Sequence, residues 1–144
     1  VHLAIAGSPA AYQLFDDVPE PRKLFLPMVG PDDFPYLLAH FDVLMAPVRH
    51  EAWACLGSDQ RLMEAGARSL PFAASPAPAL AEWASGGVFC ATADEWTTQL
   101  NRLVDENAWR GELARAGHTL AQSRRAEAIG AFWHELIGDL TRAR

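Results

Sequence analysis

The sequence predicts an α/β fold: a parallel sheet of about five strands flanked by helices, closing in a wholly helical C-terminal end. Three observations predict it. Short apolar runs of strand length alternate with stretches of helical period as far as residue 91. Prolines and glycines stand at the ends of those runs rather than inside them. Beyond residue 91 only the helical spacing remains. Such alternation implies βαβ units, right-handed crossovers and a sheet covered on both faces.

Each element follows from its residues. His2–Ala6 is an apolar run stopped by Gly7-Ser8-Pro9, a strand and a turn. Leu24-Phe25-Leu26 is a second strand, followed by Pro27 and then Gly30-Pro31. Asp32 or Asp33 is placed to cap a helix through Phe34, Leu37, Leu38 and Phe41. Asp42–Pro47 is a third strand, ended by its proline. Residues 48–57 are irregular and too long for a minimal turn. Ser58 then opens a helix through Leu62, Met63 and Ala67. Leu70–Ser75 reads as a fourth strand, Pro76–Ala84 as a short helix and Gly87–Ala91 as a fifth strand. Thr92, with Glu95 three residues on, has the spacing of a capping box. Trp96, Leu100, Leu103 and Val104 follow on one helical face. Trp109, Leu113 and Leu120 mark a second helix. Ile129, Phe132, Trp133, Leu136, Ile137 and Leu140 give a third a broad apolar stripe. With no repeat, low-complexity segment or linker, residues 1–144 read as one domain.

Composition narrows the function. Of 144 residues half are apolar and 21% charged, which excludes a disordered chain. Twelve Lys and Arg against eighteen Asp and Glu give a net charge of −6, against non-specific binding of nucleic acid. Cys55 and Cys90 have neither metal-ligand spacing nor a disulfide framework around them, so a reducing, cytoplasmic setting is expected. No apolar run approaches the ~18–20 residues of a membrane span, and no signal peptide opens the chain. Val1 begins inside a strand-like stretch, as in a piece of a longer protein. There is no phosphate-binding P-loop and no Gly-x-Gly-x-x-Gly, which disfavours an ATPase or a nicotinamide dehydrogenase. His50-Glu51 begins like a zinc helix, but position 54 is Ala54 and no second His follows. No Asp-x-Asp occurs either, so no metal and no cofactor is expected.

Parallel sheets bind ligands at the carboxyl ends of their strands. The richest such segment runs from Pro47 to Pro71. Gly57 and Ser58 precede a helix, whose free N–H groups and partial positive charge suit a phosphate. Arg61 is within reach of the same anion, or is a solvated helix charge. Asp59 opposes an anion, and Ser58 and Asp59 also suit plain capping. Glu64 stands between Met63 and Ala65, unusual company for a carboxylate. It is placed to accept from a pair of sugar hydroxyls. His50 lies on the same long loop, as a donor contact or as a solvated residue.

The order of Asp42-Val43-Leu44-Met45-Ala46-Pro47, a long loop, Leu62-Met63-Glu64-Ala65, Leu70-Pro71 and a small strand ending in Ser75 resembles the C-terminal half of group 1, glycogen-synthase-like retaining glycosyltransferases. The resemblance covers nearly the whole chain. It implies a GT-B architecture of two Rossmann-like domains, of which this is the donor-binding one. It implies a hexosyltransferase-type enzyme that transfers a sugar from a nucleotide-sugar donor. Glu64 matches the second glutamate of the family's Glu-x7-Glu motif, which holds the donor ribose. Gly57, Ser58 and Asp59 fall where relatives line the phosphate and sugar, and Met28 and Val29 fall in the loop that borders the nucleobase. Leu56 replaces the first glutamate of the motif, Pro27 replaces a Gly, and Ser69 replaces the Gly before the Leu-Pro strand. If position 69 needs a positive φ, Ser69 carries strain. The family's basic pair and its N-terminal acceptor domain would precede Val1. This fragment is therefore expected to be inactive alone and to meet a membrane only peripherally, through that domain. The alternatives are a non-catalytic interaction module derived from such an enzyme, or a sugar-nucleotide epimerase domain.

Overall fold

All five expected strands form, and all pair in parallel, as a two-stranded and a three-stranded sheet. The structure is a computed structural model in which residues 1–48 and 58–142 are described. The chain divides into two compact units, Val1–Leu37 and Leu38–Arg144.

In the first unit β1 (Leu3–Gly7) pairs with β2 (Lys23–Pro27), in a register running from Leu3 opposite Lys23 to Gly7 opposite Pro27. Between them, α1 (Pro9–Gln13) starts on Ser8, whose hydroxyl accepts from the Ala11 amide at 3.4 Å. Pro9 takes the first helical position, where an N–H would have no partner anyway. A 3-10 turn, Glu20–Arg22, leads into β2.

The buried residue that opens β2 is Lys23, only 7% exposed. Its ammonium donates to the Phe15 carbonyl at 3.1 Å. It also lies 3.4 Å from Glu20, 3.5 Å from Asp16, and 4.3 Å from the Tyr12 ring centre. Burial pulls its pKa down, but Glu20, Tyr12 and Asp16 outweigh burial and the net direction is upward. The Tyr12 hydroxyl donates to Glu20 at 2.8 Å. That bond is the main reason the tyrosine pKa rises and the glutamate pKa falls. The short helix α2 (Phe34–Leu38) spans the division between the units.

In the second unit β3 (Leu44–Ala46), β4 (Phe72–Ala74) and β5 (Gly87–Phe89) form one sheet in that order. Helix α3 (Gln60–Ala67) links β3 to β4. The Pro76–Ala84 segment, expected as a short helix, forms a 3-10 helix at Pro78–Trp83. Pro78 removes a donor from its start, and a segment this short has no length for a full α-helix. The C-terminal end is helical as expected: α4 (Ala93–Asp105), α5 (Asn107–Gln122) and α6 (Ala126–Arg142). The capping box closes on both sides, with the Thr92 hydroxyl accepting from the Glu95 amide and Glu95 accepting from the Thr92 amide.

Leu62, Phe72, Ala74, Leu80, Trp83 and Ala121 make the core, with Leu44, Met63 and Phe89 packed against it. Each of the large side chains contributes roughly 1.5–3 kcal/mol on full burial. Backbones meet where α3 crosses α5: a Cβ built on Gly66 would lie 2.7 Å from the Gly117 carbonyl oxygen. The third C-terminal helix departs from its sequence pattern. The stripe along α6 is exposed, with Phe132 at 57% and Leu140 at 63%. Among the described residues no helix is long and apolar enough to cross a membrane.

Candidate functional site

The site sits where β3 and β4 end and α3 begins, as the crossover between parallel strands requires. Pro47 and Ser75 terminate the pairing of the two strands. The Ser75 amide still donates to the Ala46 carbonyl at 3.2 Å. One rung later the Ser75 side chain takes over, its hydroxyl accepting from the Val48 amide at 3.0 Å. Ser75 is one of two buried polar residues among those described. Its hydroxyl thus fixes the direction in which the chain leaves β3. Sequence reasoning missed this role; the signal was a small polar residue closing an otherwise apolar strand.

Helix α3 begins two residues after Ser58. Asp59 takes the capping position, yet its carboxylate makes no capping bond. The Ser58 hydroxyl accepts instead from the Gln60 amide, at 3.4 Å. The Asp59 carbonyl accepts from the Leu62 and Met63 amides, both at 3.0 Å. The Asp59 side chain turns toward the core. The indole N–H of Trp83 donates to its Oδ2 at 2.8 Å. Arg124, between α5 and α6, approaches the same oxygen at 3.3 Å and Glu82 at 2.6 Å.

Glu64 lies half-buried in the second turn of α3. Gln60 donates to its Oε1 at 2.7 Å and so orients the carboxylate. A carboxylate oxygen has two lone pairs, so a bond from Gln60 still leaves Oε1 an acceptor site. Arg61 is exposed on the same helix, and Ser58 is exposed ahead of it. The structure therefore brings Ser58, Asp59, Arg61 and Glu64 together at one helix start. Met28, 82% exposed, and Val29, half-buried, follow β2 in the first unit. Gly57 and His50, along with Leu56, lie outside the described residues.

The segment that follows β4 and the end of β5 line a shallow depression of about 240 Å³, walled by Pro76, Ala77, Pro78, Ala81 and Phe89. Two of its residues are prolines, so positions 76 and 78 present no amide donors there. At the far end of α3 the expected strain is real. Ser69 has φ +55°, the one positive φ outside glycine among the described residues. The Ser69 amide donates to Gly66 and the Leu70 amide to Ala65, each at 2.9 Å. That pattern closes a helix through a left-handed residue, normally glycine. Cys90 is buried, and burial first, then the Glu95 charge, pushes its thiol pKa up. It has none of the character of a nucleophile.

Comparison with known proteins places this fold. No family model matches the chain, and no curated protein matches its sequence. Two crystal structures of Anabaena Alr3699/HepE do match in fold. The one in complex with UDP-glucose superposes over 100% of this chain and 41% of that chain, with a TM-score of 0.69 and 18% identity. The one in complex with UDP covers 87% of this chain and 33% of that chain, with a TM-score of 0.60 and 19% identity. The chain is thus Rossmann-like in fold and spans well under half the length of these structures.

Proposed function

We propose that the chain is the donor-binding domain of a glycosyltransferase that moves a sugar from a uridine diphosphate sugar to an acceptor. One observation carries this reading: the whole chain shares its fold with a protein crystallised with UDP-glucose. The arrangement at α3 supports it. Glu64, oriented by Gln60 at 2.7 Å, is built to accept from two adjacent ribose hydroxyls. Gly57 and Ser58 precede a helix N-terminus, where amides and the helix dipole favour the diphosphate. By the resemblance Met28 and Val29 belong to the loop that borders the base, and from the sequence Arg61 and His50 are candidate donor contacts. The enzyme is of the retaining, hexosyltransferase type, and the acceptor domain lies in the remainder of a longer, cytoplasmic protein. Catalysis then rests on holding the donor and stabilising the diphosphate leaving group by electrostatics.

Titration of the chain with UDP, GDP, ADP and CMP, followed residue by residue by NMR, tests the donor site. UDP is expected to give saturable shifts at residues 28–29 and 58–64, and the other three none. Silence from UDP at millimolar concentration would falsify the reading. In the full-length protein, Glu64→Ala should lower sugar transfer at least tenfold. Nucleotide binding with no transfer by the intact protein would point instead to a non-catalytic binding module.

A further inference from the structure

The reading above leaves open what Asp59 does. Three observations bear on it. It holds the capping position of α3, yet its carboxylate caps nothing. That carboxylate is the partner of a buried indole, since Trp83 is only 2% exposed and donates to Oδ2 at 2.8 Å. A buried N–H left without an acceptor is costly, so this bond strongly favours one placement of the Asp59 backbone. Arg124, itself held by Glu82 at 2.6 Å, meets the same oxygen at 3.3 Å. An unpaired carboxylate at a helix start would repel a diphosphate. One paired with a guanidinium and turned inward repels it less.

We infer that Asp59 is a positioning residue for the nucleotide and not a ligand to it. Pinned by Trp83 and Arg124, it fixes the first turn of α3, and with it the aim of Ser58 ahead and of Glu64 behind. The inference rests on the nucleotide reading and gives Trp83, a residue with no place against the ligand, a share in binding.

A double-mutant cycle on UDP affinity tests it, using the chain, UDP as probe, and Asp59→Ala, Trp83→Phe and the double variant. Trp83→Phe removes the donor and leaves an aromatic ring in the core, with a loss of volume for which the core truncation below is the control. Each single variant is expected to weaken UDP binding about tenfold, equal to about 1.4 kcal/mol, and the double variant no more than either alone. Asp59→Asn retains an acceptor for the indole and should stay within about threefold of wild type. Leu103→Val, a core change in α4, should lower stability yet leave UDP affinity unchanged, which separates positioning from general loosening. Asp59→Asn is mild enough to keep the test open should Asp59→Ala not fold. Loss of affinity in Asp59→Ala with none in Trp83→Phe makes Asp59 a ligand and overturns the inference. Tighter binding by Asp59→Asn makes it a source of repulsion, with the same consequence. Wild-type affinity in every variant overturns the positioning role alone. No UDP binding by the wild type overturns the nucleotide reading and the positioning role with it.

Discussion

Helices α5 and α6 are nearly equal in length, 16 and 17 residues, and follow one another in the chain. The more apolar of the two is the one left uncovered. Helix α5 packs on α3 through Gly117, whose backbone lies against Gly66 and Gly86. Its His118 ring also meets the Gly66 carbonyl at 3.2 Å. No residue of α6 is buried, although Phe132 and Trp133 stack edge to face with ring centres 5.9 Å apart. The contrast separates two properties that a periodic pattern runs together. A stripe of large apolar side chains predicts a helix and a sticky face. A close helix–helix contact is made by the absence of side chains, which the stripe does not reveal.

Filling that contact should break it hardest. Gly66→Leu sets a Cβ 2.7 Å from the Gly117 carbonyl oxygen and 2.9 Å from the Trp83 ring, with further atoms beyond it. The neighbour is backbone and cannot rotate away, so a loss of about 3 kcal/mol or more is expected. A urea unfolding curve measures it as a fall in midpoint. Gly117→Ala is the milder form. Its Cβ would lie 3.2 Å from the Gly86 Cα, again backbone. Alanine is worth up to about 1 kcal/mol over glycine inside a helix, so a net loss of about 1 kcal/mol would show that the close approach wins. A net gain would mean that the Gly86 backbone gives way to α5 without cost, and the tight contact would lose its importance.

These positions also show what the sequence made legible. The alternation of apolar runs and punctuating prolines was enough for five parallel strands and for the order of the helices after β2, because strand and helix periods differ locally; α1, one short helix after Ser8-Pro9, was read only as a turn. Thr92 and Glu95 announced the start of α4 because a capping box is complete within four residues. Ser69 announced its strain because it stands where the family that the chain resembles has a glycine before the Leu-Pro strand. What was hidden is non-local. Nothing near Asp59 in sequence shows that its carboxylate serves Trp83, which is 24 residues away. Nothing near Ser75 shows that it would hold the amide of Val48, 27 residues back. For the candidate site the residue types at α3 were therefore readable, and the division between ligand and support was not.

The end of α3 offers a smaller test with the opposite sign. Ser69→Gly frees a residue held at φ +55°. A left-handed conformation costs an ordinary residue roughly 1–2 kcal/mol. The greater freedom of glycine in the unfolded chain takes back part of that gain. A net stabilisation of about 0.5–1 kcal/mol is expected, seen as a rise in Tm with the α3–α5 contact undisturbed. A loss would mean that the Ser69 side chain holds a bond worth more than the strain.

The smallest effect belongs to α6. Trp133 is 54% exposed and Phe132 57%. Removing either from water-facing positions takes away little burial, so Trp133→Ser and Phe132→Ser should each change the stability of this chain by less than about 0.5 kcal/mol. An exposed apolar stripe should also bind a hydrophobic dye, and the two substitutions should lower that fluorescence together. Stability and dye binding thus move in opposite ways at the α3–α5 contact and on α6. Changes at Gly66 unfold the chain and add dye-binding surface, whereas changes at Trp133 leave the chain folded and remove it. A loss of 2 kcal/mol or more from Trp133→Ser would show the stripe covered in solution, and the contrast between α5 and α6 would then reduce to two ways of packing.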